Sequence, residues 1–531
     1  MKKRCLLLFL LKLVAIVSIS IVSIGSGLFA QEDDGFGFGF GDEEGVTAGA
    51  SSGSLPVVGA KIGGKVSAGF TFFPDDFLAK GDESALDRTK QVQLGDVFSG
   101  EINFSAEASN ADAVINLKLA PDFEDPAKIL SLDEAYIRSF FGKLMVEGGL
   151  RKLTWGRADS LGPLDLVNPL DYTDLSNMAD YAAIKIARPM IHASWGIGSF
   201  TKIEGVFLPW FEGDRFAEKG RWASAQLRQI PDRMTGKLTS ELTPQIMGIP
   251  GLNLTRVNEL MGLMSANDTL LSGIGQSVPP TSTLEYFQGG LRFTTTLGPA
   301  DFGAQYYYGL YSRPSYRLDR AAYNELIETI VAYAQSSDAD AAEAKKNMEA
   351  AMDPSALFDI TYNRYHHIGV DYGQVLFGFN TRAELGANIT EDLSGDNGLV
   401  YNPALVWSLG FDRDIPVVKI NVNLQVNENI VLLHDRLEDD PLSDVEAGKK
   451  PTSTRLILRL SRTFFRDELE LQAAAIWGIE DQDCYIMPGL VWTKGDVVLE
   501  VSGGIFAGNR EGELGQYRDN YYVKTLLSYS F

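Results

Sequence analysis

The stretch from residue 416 to residue 427 reads Pro-Val-Val-Lys-Ile-Asn-Val-Asn-Leu-Gln-Val-Asn. From Val418 to Asn427, every apolar side chain is followed by a polar one. Because successive side chains of a β-strand point to opposite faces, one face of this segment is wholly apolar and the other is polar. The pattern predicts a strand that separates an apolar environment from an aqueous one.

The same alternation recurs along the chain, and the connections between the alternating segments are short and long in turn. Most segments are long enough for a tilted strand to span a bilayer. A soluble sandwich would also alternate, with its polar face outward. The long segments and the short–long order instead favour an all-β, transmembrane antiparallel β-barrel of about 18 strands (range 16–20). The predicted strands are 58–73, 95–108, 111–119, 133–141, 143–150, 181–196, 199–210, 284–297, 300–312, 357–371, 374–389, 397–411, 416–432, 452–464, 467–479, 485–494, 497–508 and 518–531.

Three predicted connections are especially long, at 151–180, 211–283 and 313–356. The last contains Tyr323, Leu326 and Ile330, whose spacing is that of an amphipathic helix within 318–351. The connection 211–283 has shorter helical pieces between prolines. Whether these helical insertions cap the barrel, fold into it or decorate its surface is left open by the sequence.

The carboxyl-terminal segment alternates up to its last residue. Its apolar face includes the residues Tyr521, Val523, Leu527, Tyr529 and Phe531. A terminal aromatic residue that ends such a strand resembles the insertion signal read by the outer-membrane barrel assembly machinery. The resemblance implies that machinery and outer-membrane lipid as partners of the chain.

The amino-terminal segment has the features of an export signal. Residues 1–30 begin with three basic residues, continue with an apolar core and end at Ala30, so we interpret them as a signal peptide. Residues 31–56 are acidic and rich in Gly and Phe, which predicts a flexible periplasmic leader. The barrel domain is expected at 57–531. No later stretch has about 18 consecutive apolar residues, so no transmembrane helix is predicted. These features indicate the outer membrane of a diderm bacterium, with both termini in the periplasm.

The composition argues against several function classes. Without the four basic residues of the signal, 43 basic and 70 acidic residues remain, a net charge of −27, which disfavours a nucleic-acid partner. Loss of Cys5 leaves Cys484 alone, so no intrachain disulfide can form. His366 and His367 are adjacent on a predicted strand, where their rings cannot share a metal. We expect no enzyme, no cofactor and no metal site, and a solvated loop at 438–446 rather than a calcium site.

Residues 149–172 read Gly-Leu-Arg-Lys-Leu-Thr-Trp-Gly-Arg-Ala-Asp-Ser-Leu-Gly-Pro-Leu-Asp-Leu-Val-Asn-Pro-Leu-Asp-Tyr. This segment is similar to one in several families of large porin-like outer-membrane β-barrels. Their shared pattern is a Gly-Arg/Lys-Gln strand end, then Trp-Gly, Asp and Asn-Pro, with Lys152 here in place of Gln. Asp and Asn beside Gly or Pro stabilise turns, so the loop is expected to be compact. The predicted loop-shaping residues are Trp155, Gly156, Asn168 and Pro169.

In the predicted topology this segment is the third outer loop, after the connections 74–94 and 120–132. In general porins the third loop folds into the lumen, and the resemblance implies that 151–180 narrows the pore. We expect its basic residues to face its acidic ones, which would create a transverse field that selects permeants. Alternatively, these charges pair with each other and only hold the loop in shape. The predicted constriction residues are Arg151, Lys152, Arg157, Asp159, Asp165, Asp171 and Asp174.

The function predicted from these features is a porin-like channel for passive diffusion of small solutes. A surface adhesin that uses the barrel as a platform is an alternative, because the connections 211–283 and 313–356 are large enough to bind a partner. A gated carrier for hydrophobic molecules is a further alternative, which the polar residues between 419 and 427 disfavour. The permeant and the oligomeric state are not indicated by the sequence.

Overall fold

The computed structural model describes residues 59–74, 92–93, 98–120, 130–217, 220–224, 279–353, 357–440 and 442–531, together with the single positions 240, 244, 255, 256, 258 and 259. The predicted signal peptide and leader lie outside these residues. So do most of the connection 211–283 and its predicted helical pieces.

The described residues form one large antiparallel sheet of long strands. In chain order these are β1 Gly59–Phe72, β2 Phe98–Glu107, β3 Ala111–Leu119, β4 Leu130–Phe141, β5 Leu144–Arg151, β6 Arg188–Ile197, β7 Thr201–Leu208, β8 Gln288–Leu297, β9 Ala300–Leu310, β10 Arg364–Leu376, β11 Phe379–Thr390, β12 Ala404–Ile415, β13 Ile420–Val431, β14 Thr452–Phe464, β15 Leu469–Gly478, β16 Asp483–Lys494, β17 Val497–Gly508 and β18 Tyr522–Ser530. Each strand pairs with its neighbours in sequence order.

The sheet closes on itself, because β1 also pairs with β18. Past the end of β18, Phe531 exchanges two backbone hydrogen bonds with Gly64 (2.9 and 3.0 Å). The phenylalanine ring covers this glycine, where a Cβ would lie 2.6 Å from the ring. The fold is therefore a closed 18-strand antiparallel barrel, which confirms the predicted fold class and strand number.

The two faces of the barrel differ in chemistry. Large apolar side chains stand exposed on the outer face, for example Ile62, Val66, Leu291 and Phe293. The inner face carries the polar set, including the predicted Asn and Gln residues of β13. A closed barrel with an apolar exterior satisfies all of its strand hydrogen bonds internally, so it can cross a membrane.

The gaps between the predicted strands imply tight turns at 372–373 and 412–415, and both turns are wrong. Gly373 lies within β10, opposite Asp301 and Arg382, and the turn comes later at 377–378, where both residues have positive φ. The glycine instead leaves room for Arg157, whose Cδ would lie 3.3 Å from an added Cβ. Residues 413–414 also belong to the ladder, and the turn spans 416–419. Strands predicted to begin at 181, 357 and 397 begin seven residues later, because the preceding residues belong to the long connections.

The connections alternate between the two ends of the barrel. One end (the turn end) has turns of two to four residues, and the other (the loop end) carries the long connections together with a four-residue turn at 479–482. The connection between β9 and β10 holds helices α1 Arg320–Gln335 and α2 Ala341–Ala351, which confirms the predicted helical insertion. Asp319 caps α1 by accepting the N–H groups of residues 321 and 322 (2.8 and 2.9 Å). Two short strands, Ser315–Leu318 and Phe358–Thr361, pair beneath the helices. Among the described residues, no helix is long and apolar enough to cross a membrane.

Candidate functional site

The connection between β5 and β6, residues 152–187, lies inside the barrel, and we call it the luminal insert. It leaves β5 after Arg151 and returns to its starting point at Asn168. The side chain of Asn168 accepts the N–H of Leu153 (2.7 Å) and donates to the carbonyls of Arg151 (3.0 Å) and Ile186 (2.8 Å). These bonds to three backbone groups close the base of the excursion 154–167.

The tip of the insert is held by Glu384 on the inner face of β11. Its carboxylate accepts the backbone N–H groups of Arg157, Ala158 (2.7 Å) and Leu164 (3.3 Å). Glu384 is 3% exposed, so the loop covers it completely. A single buried carboxylate thus satisfies three N–H groups of a loop that lacks regular secondary structure.

A second wall contact comes from the polar ladder of β13. Gln425, which is 1% exposed, accepts the N–H of Asp159 (3.0 Å) and donates to the carbonyl of Ser160 (2.6 Å). Asn423 donates to the Asp159 carboxylate (2.6 Å), and Asn427 donates to the carbonyl of Leu161 (2.9 Å). Three successive inner-face amides of β13 therefore bind three successive residues of the insert.

The side chain of Arg157 extends from the insert towards the turn end of the barrel. Its guanidinium pairs with Asp371 of β10 (2.6 Å) and approaches Asp301 of β9 (3.5 Å). Asp371 also pairs with Arg292 of β8 (2.7 Å), and Arg382 of β11 pairs with Asp159 (2.5 Å). The insert and the wall from β8 to β11 therefore share one network of alternating charges.

The other predicted constriction residues pair close to the base of the insert. Arg151 lies near Glu134 of β4 (3.4 Å) and near Glu147 of its own strand (3.6 Å), and Lys152 pairs with Asp133 (2.9 Å). Asp165 pairs with Lys185 (2.5 Å), and both side chains are buried.

Asp171 and Asp174 bind within the insert itself. Asp171 accepts the N–H of Thr173 (2.9 Å), and Asp174 accepts that of Ser176 (2.9 Å). The predicted basic residues Arg151, Lys152 and Arg157 therefore pair with wall carboxylates, whereas Lys185, which the prediction did not include, pairs with Asp165 of the insert itself. A transverse field of opposed charges across the pore stays a prediction.

The predicted loop-shaping residues lie at the base and the tip. Trp155 is buried with its ring edge-on to Tyr307 (6.3 Å between centroids). Gly156 has φ +93°, and a Cβ there would lie 2.4 Å from a Glu384 oxygen. The carbonyl of Pro169 accepts the N–H of Ile186 (2.9 Å). Glycine permits both the left-handed backbone and the close approach to the carboxylate.

A second segment of the chain, residues 209–217 and 220–224, joins the insert. Two of its residues, Arg215–Phe216, form a parallel bridge with Asp171–Tyr172. Asp214 accepts the N–H of Leu170 (2.8 Å), and burial raises the pKa of this carboxyl. Whether this part of 211–283 caps the barrel or enters it was open in the sequence, and these described residues enter it.

Aromatic packing holds the second segment against the wall formed by β17 and β18. The Trp222 ring lies 5.8–6.2 Å from the rings of Phe73, Phe506, Tyr517 and Tyr522. Leu175 and Met178 of the insert belong to the same cluster. Much of the hydrophobic core of this barrel is therefore inside the lumen, near the loop end.

Sequence reasoning missed the wall side of this site. Glu384, Asp371 and Arg292 were not singled out, although the alternation of β8, β10 and β11 assigns each of them to the inner face. For Gln425, the alternation predicted an inner-face position, and only its partner was unknown. The signal was present as polar residues on inner faces, but it did not say which of them bind a loop and which meet water.

Other sequence expectations fall outside the insert. The rings of His366 and His367 point to opposite faces: His366 contacts Tyr306 on the outside (2.7 Å), and His367 contacts Asn388 on the inside (2.7 Å). In the connection 433–451, Asp444 accepts the N–H groups of Glu438 and Glu446. No group of three metal-ligating side chains occurs in the described part of the chain. At the carboxyl end, Val523, Leu527, Tyr529 and Phe531 are exposed on the outer face, whereas Tyr521 is half-buried.

The fold and the insert define a transmembrane β-barrel whose lumen is partly filled by its own chain. No family model and no curated protein matches it. Solved structures match over 89% of the chain. OccK9 (OpdG) of Pseudomonas aeruginosa has 8% identity over 98% of its length (TM-score 0.42), and OccAB4 of Acinetobacter baumannii has 8% over 97% (0.43). Wzi of Escherichia coli, described as an outer membrane protein involved in group 1 capsule assembly and as a carbohydrate-binding β-barrel, has 10% over 85% (0.41). At these identities and TM-scores, the likenesses carry no inference about this chain.

Proposed function

We propose that the protein is an outer-membrane channel for the passive diffusion of small solutes, narrowed by the luminal insert. The observation that carries the proposal is the combination of an apolar outer face with a polar inner face in a closed barrel of 18 strands. Barrels of this size enclose an interior wide enough for water. The mostly polar inner ladder keeps that water in contact with protein while the outer face meets acyl chains.

The insert supplies the narrowing in this proposal. It crosses from β5 to the inner faces of β9–β13, and its residues near 175–178 reach β16 and β18. Solutes that enter at the loop end would therefore meet a lumen partly filled by the insert instead of an open cylinder. Charged groups that line the part left open would select permeants by sign and size.

We infer the location and orientation of the protein from the same barrel. The outer membrane is the compartment in which single-chain bacterial barrels of this kind reside, with short turns on the periplasmic side. The turn end would then face the periplasm, together with both termini. The exposed aromatic face of β18 would be read by the barrel assembly machinery during insertion.

Planar-bilayer recording tests the proposal directly. The purified full chain, inserted from detergent into a bilayer in KCl solution, should give discrete and ohmic current steps. Protection of the barrel from protease in lipid vesicles shows separately that the protein inserts. Insertion without current would contradict a channel function.

A surface interaction protein is the second candidate, and one observation favours it. The outer helices have a hydrophobic core of their own, in which Leu326, Ile330 and Met348 are fully buried. A folded cap at the loop end could serve as a binding surface. Removing residues 320–351 separates the two functions, because a channel should still conduct after this deletion, whereas an adhesin should lose its partner.

A further inference from the structure

The inner face of the barrel is covered unevenly. On β8, β11 and β13, the inner-face residues Arg292, Glu384 and Gln425 are 5%, 3% and 1% exposed. On β2, the inner-face residues Glu101, Asn103 and Glu107 are exposed. Polar groups of the same kind are thus buried on one wall and in contact with solvent on the other.

The exposed inner face forms a stripe along β2, flanked by half-buried inner-face residues of β1 and β3 such as Lys65 and Lys118. The stripe stops towards the loop end of β1, where Ser67 and Thr71 are buried. Near the turn end, Lys61 and Glu107 pair at 3.0 Å with side chains that are 70% and 60% exposed. In the middle of the stripe, Asn103 lies directly across from Gly63 and Asn116. Nearer the loop end, Glu101 lies directly across from Lys65 on one side and Lys118 on the other.

The partners of the stripe are wall residues of the neighbouring strands. Lys118 pairs with Asp133 of β4 (3.0 Å), and Asn116 donates to Glu134 of the same strand (3.3 Å). The contacts of the insert tip, by contrast, go to β8–β13. Within the described residues, the tip of the insert therefore lies against the wall opposite the stripe.

We propose that the permeation pathway runs off the barrel axis, along the inner face of β1–β3, and that Glu101 between Lys65 and Lys118 sets its charge selectivity. The proposal rests on the channel function proposed above. The solutes that this mixed ladder fits are small and charged or zwitterionic, because the levels of Glu107 and Glu101 each present both signs. The network around Arg157 then positions the insert and does not itself line the path.

Thiol labelling tests the pathway without requiring current. In a Cys484→Ser background, Asn103→Cys places a thiol on the stripe, and Ser408→Cys places one on the covered wall. Ser408 is a matched control, because it is also a small inner-face residue and is 3% exposed, between Glu384 and Asn427. A water-soluble, positively charged thiol reagent should react at position 103 roughly tenfold or more faster than at position 408. Equal rates would overturn the proposed pathway, whether or not the protein conducts.

Current recording then separates the pathway from the channel function. Modification of the Asn103→Cys variant should lower the unitary conductance, whereas the Ser408→Cys variant should not respond. If the unmodified protein conducts and modification at position 103 leaves its conductance unchanged, the pathway is wrong and the channel function stands. If the unmodified protein does not conduct at all, the channel function fails, and the labelling rates alone decide where water enters.

Reversal potentials test the role of Glu101. In a KCl gradient, Glu101→Gln should shift the reversal potential towards that of an anion-preferring pore, because the two flanking lysines remain. The control is Glu511→Gln, which removes the same charge from an exposed position in the connection before β18. Shifts of equal size in the two variants would overturn the assignment of selectivity to Glu101.

Discussion

The inner walls of β2 and of β11–β13 are built from the same kind of sequence and have different tasks. Both alternate polar and apolar residues, and both direct carboxylates and amides into the lumen. On β2 these groups are exposed, whereas on β11 and β13 the insert buries them. Alternation therefore fixes the face of a residue, while the chain that crosses the lumen decides whether this residue meets water.

The buried wall depends on local bonds that the exposed wall does not need. Glu384 and Gln425 bind backbone groups of the insert, and an insert without these partners would keep unsatisfied N–H groups inside the barrel. Removing such a partner leaves buried donors unpaired, which costs more free energy than the hydrogen bond itself contributes. Equivalent changes on the exposed wall should cost little, because water replaces the lost partner.

The largest expected effect is that of Glu384→Ala. It leaves three insert N–H groups without an acceptor, so we expect the insert to be destabilised locally by about 3 kcal/mol, or about a hundredfold faster amide exchange at 157–164. Hydrogen-exchange mass spectrometry measures this change. Glu101→Ala on the exposed wall is the control and should change the free energy of unfolding by less than about 0.5 kcal/mol. Similar effects in the two variants would remove the distinction between the walls.

The next effect is that of Asn168→Ala. This variant removes three hydrogen bonds at the base of the insert, where Asn168 is buried, and should destabilise it by about 2 kcal/mol. Asn168→Asp keeps an acceptor for Leu153 but turns a second acceptor oxygen towards the carbonyls of Arg151 and Ile186, so it should destabilise the base at least as much as Asn168→Ala. Amide exchange at Leu153 is the readout, and wild-type protection in the alanine variant would show that the base is held by other contacts.

A smaller effect is expected from Gly156→Ala. The left-handed φ at this position costs a non-glycine residue about 1–2 kcal/mol, and the new methyl group would press on the Glu384 carboxylate. The matched variant Gly148→Ala meets no atom within 4 Å and should be neutral apart from a small gain or loss in strand preference. The urea unfolding midpoints of the two variants are measured in detergent. Equal shifts of both midpoints would contradict a specific requirement for glycine at position 156.

The smallest effect concerns pH and the second segment. Because burial raises the pKa of Asp214, the folded chain holds this proton more tightly than the unfolded chain, and the group's contribution to stability falls as pH rises above 3.8. Asp214→Asn keeps an acceptor for Leu170 without the buried charge. Its unfolding midpoint should equal or exceed that of wild type at pH 7, and the difference should vanish below pH 3.8. A variant that is less stable at pH 7 would contradict this sign.

The sequence predicted the barrel well because alternation is local. The strand number, the inner-face positions from Asn421 to Asn427 and the helical insertion near Leu326 all follow from spacing along the chain. The turns placed at Gly373 and at 413–414 failed, because a glycine or a charged pair inside a ladder looks like a turn. Gly373 leaves room for Arg157, which belongs to a segment far away in sequence.

The contacts within the lumen could not be predicted from the sequence, because they also join residues that are far apart in the chain. Arg157 and Asp371 are 214 residues apart, and no local pattern links them. The motif around Trp155 and Asn168 indicated a compact loop. The direction in which that loop runs is set by which inner-face residues can accept its backbone N–H groups, and only the closed barrel brings these together.

Unitary conductance after the insert is shortened is the decisive measurement for a conducting barrel narrowed by its own chain. Asn168 holds the two ends of the excursion together, so a short Gly/Ser linker can join residue 156 to residue 168 and replace 157–167. The variant is predicted to conduct with a larger unitary conductance than wild type and to admit larger uncharged solutes. A conductance and a solute size limit equal to those of wild type would contradict the account.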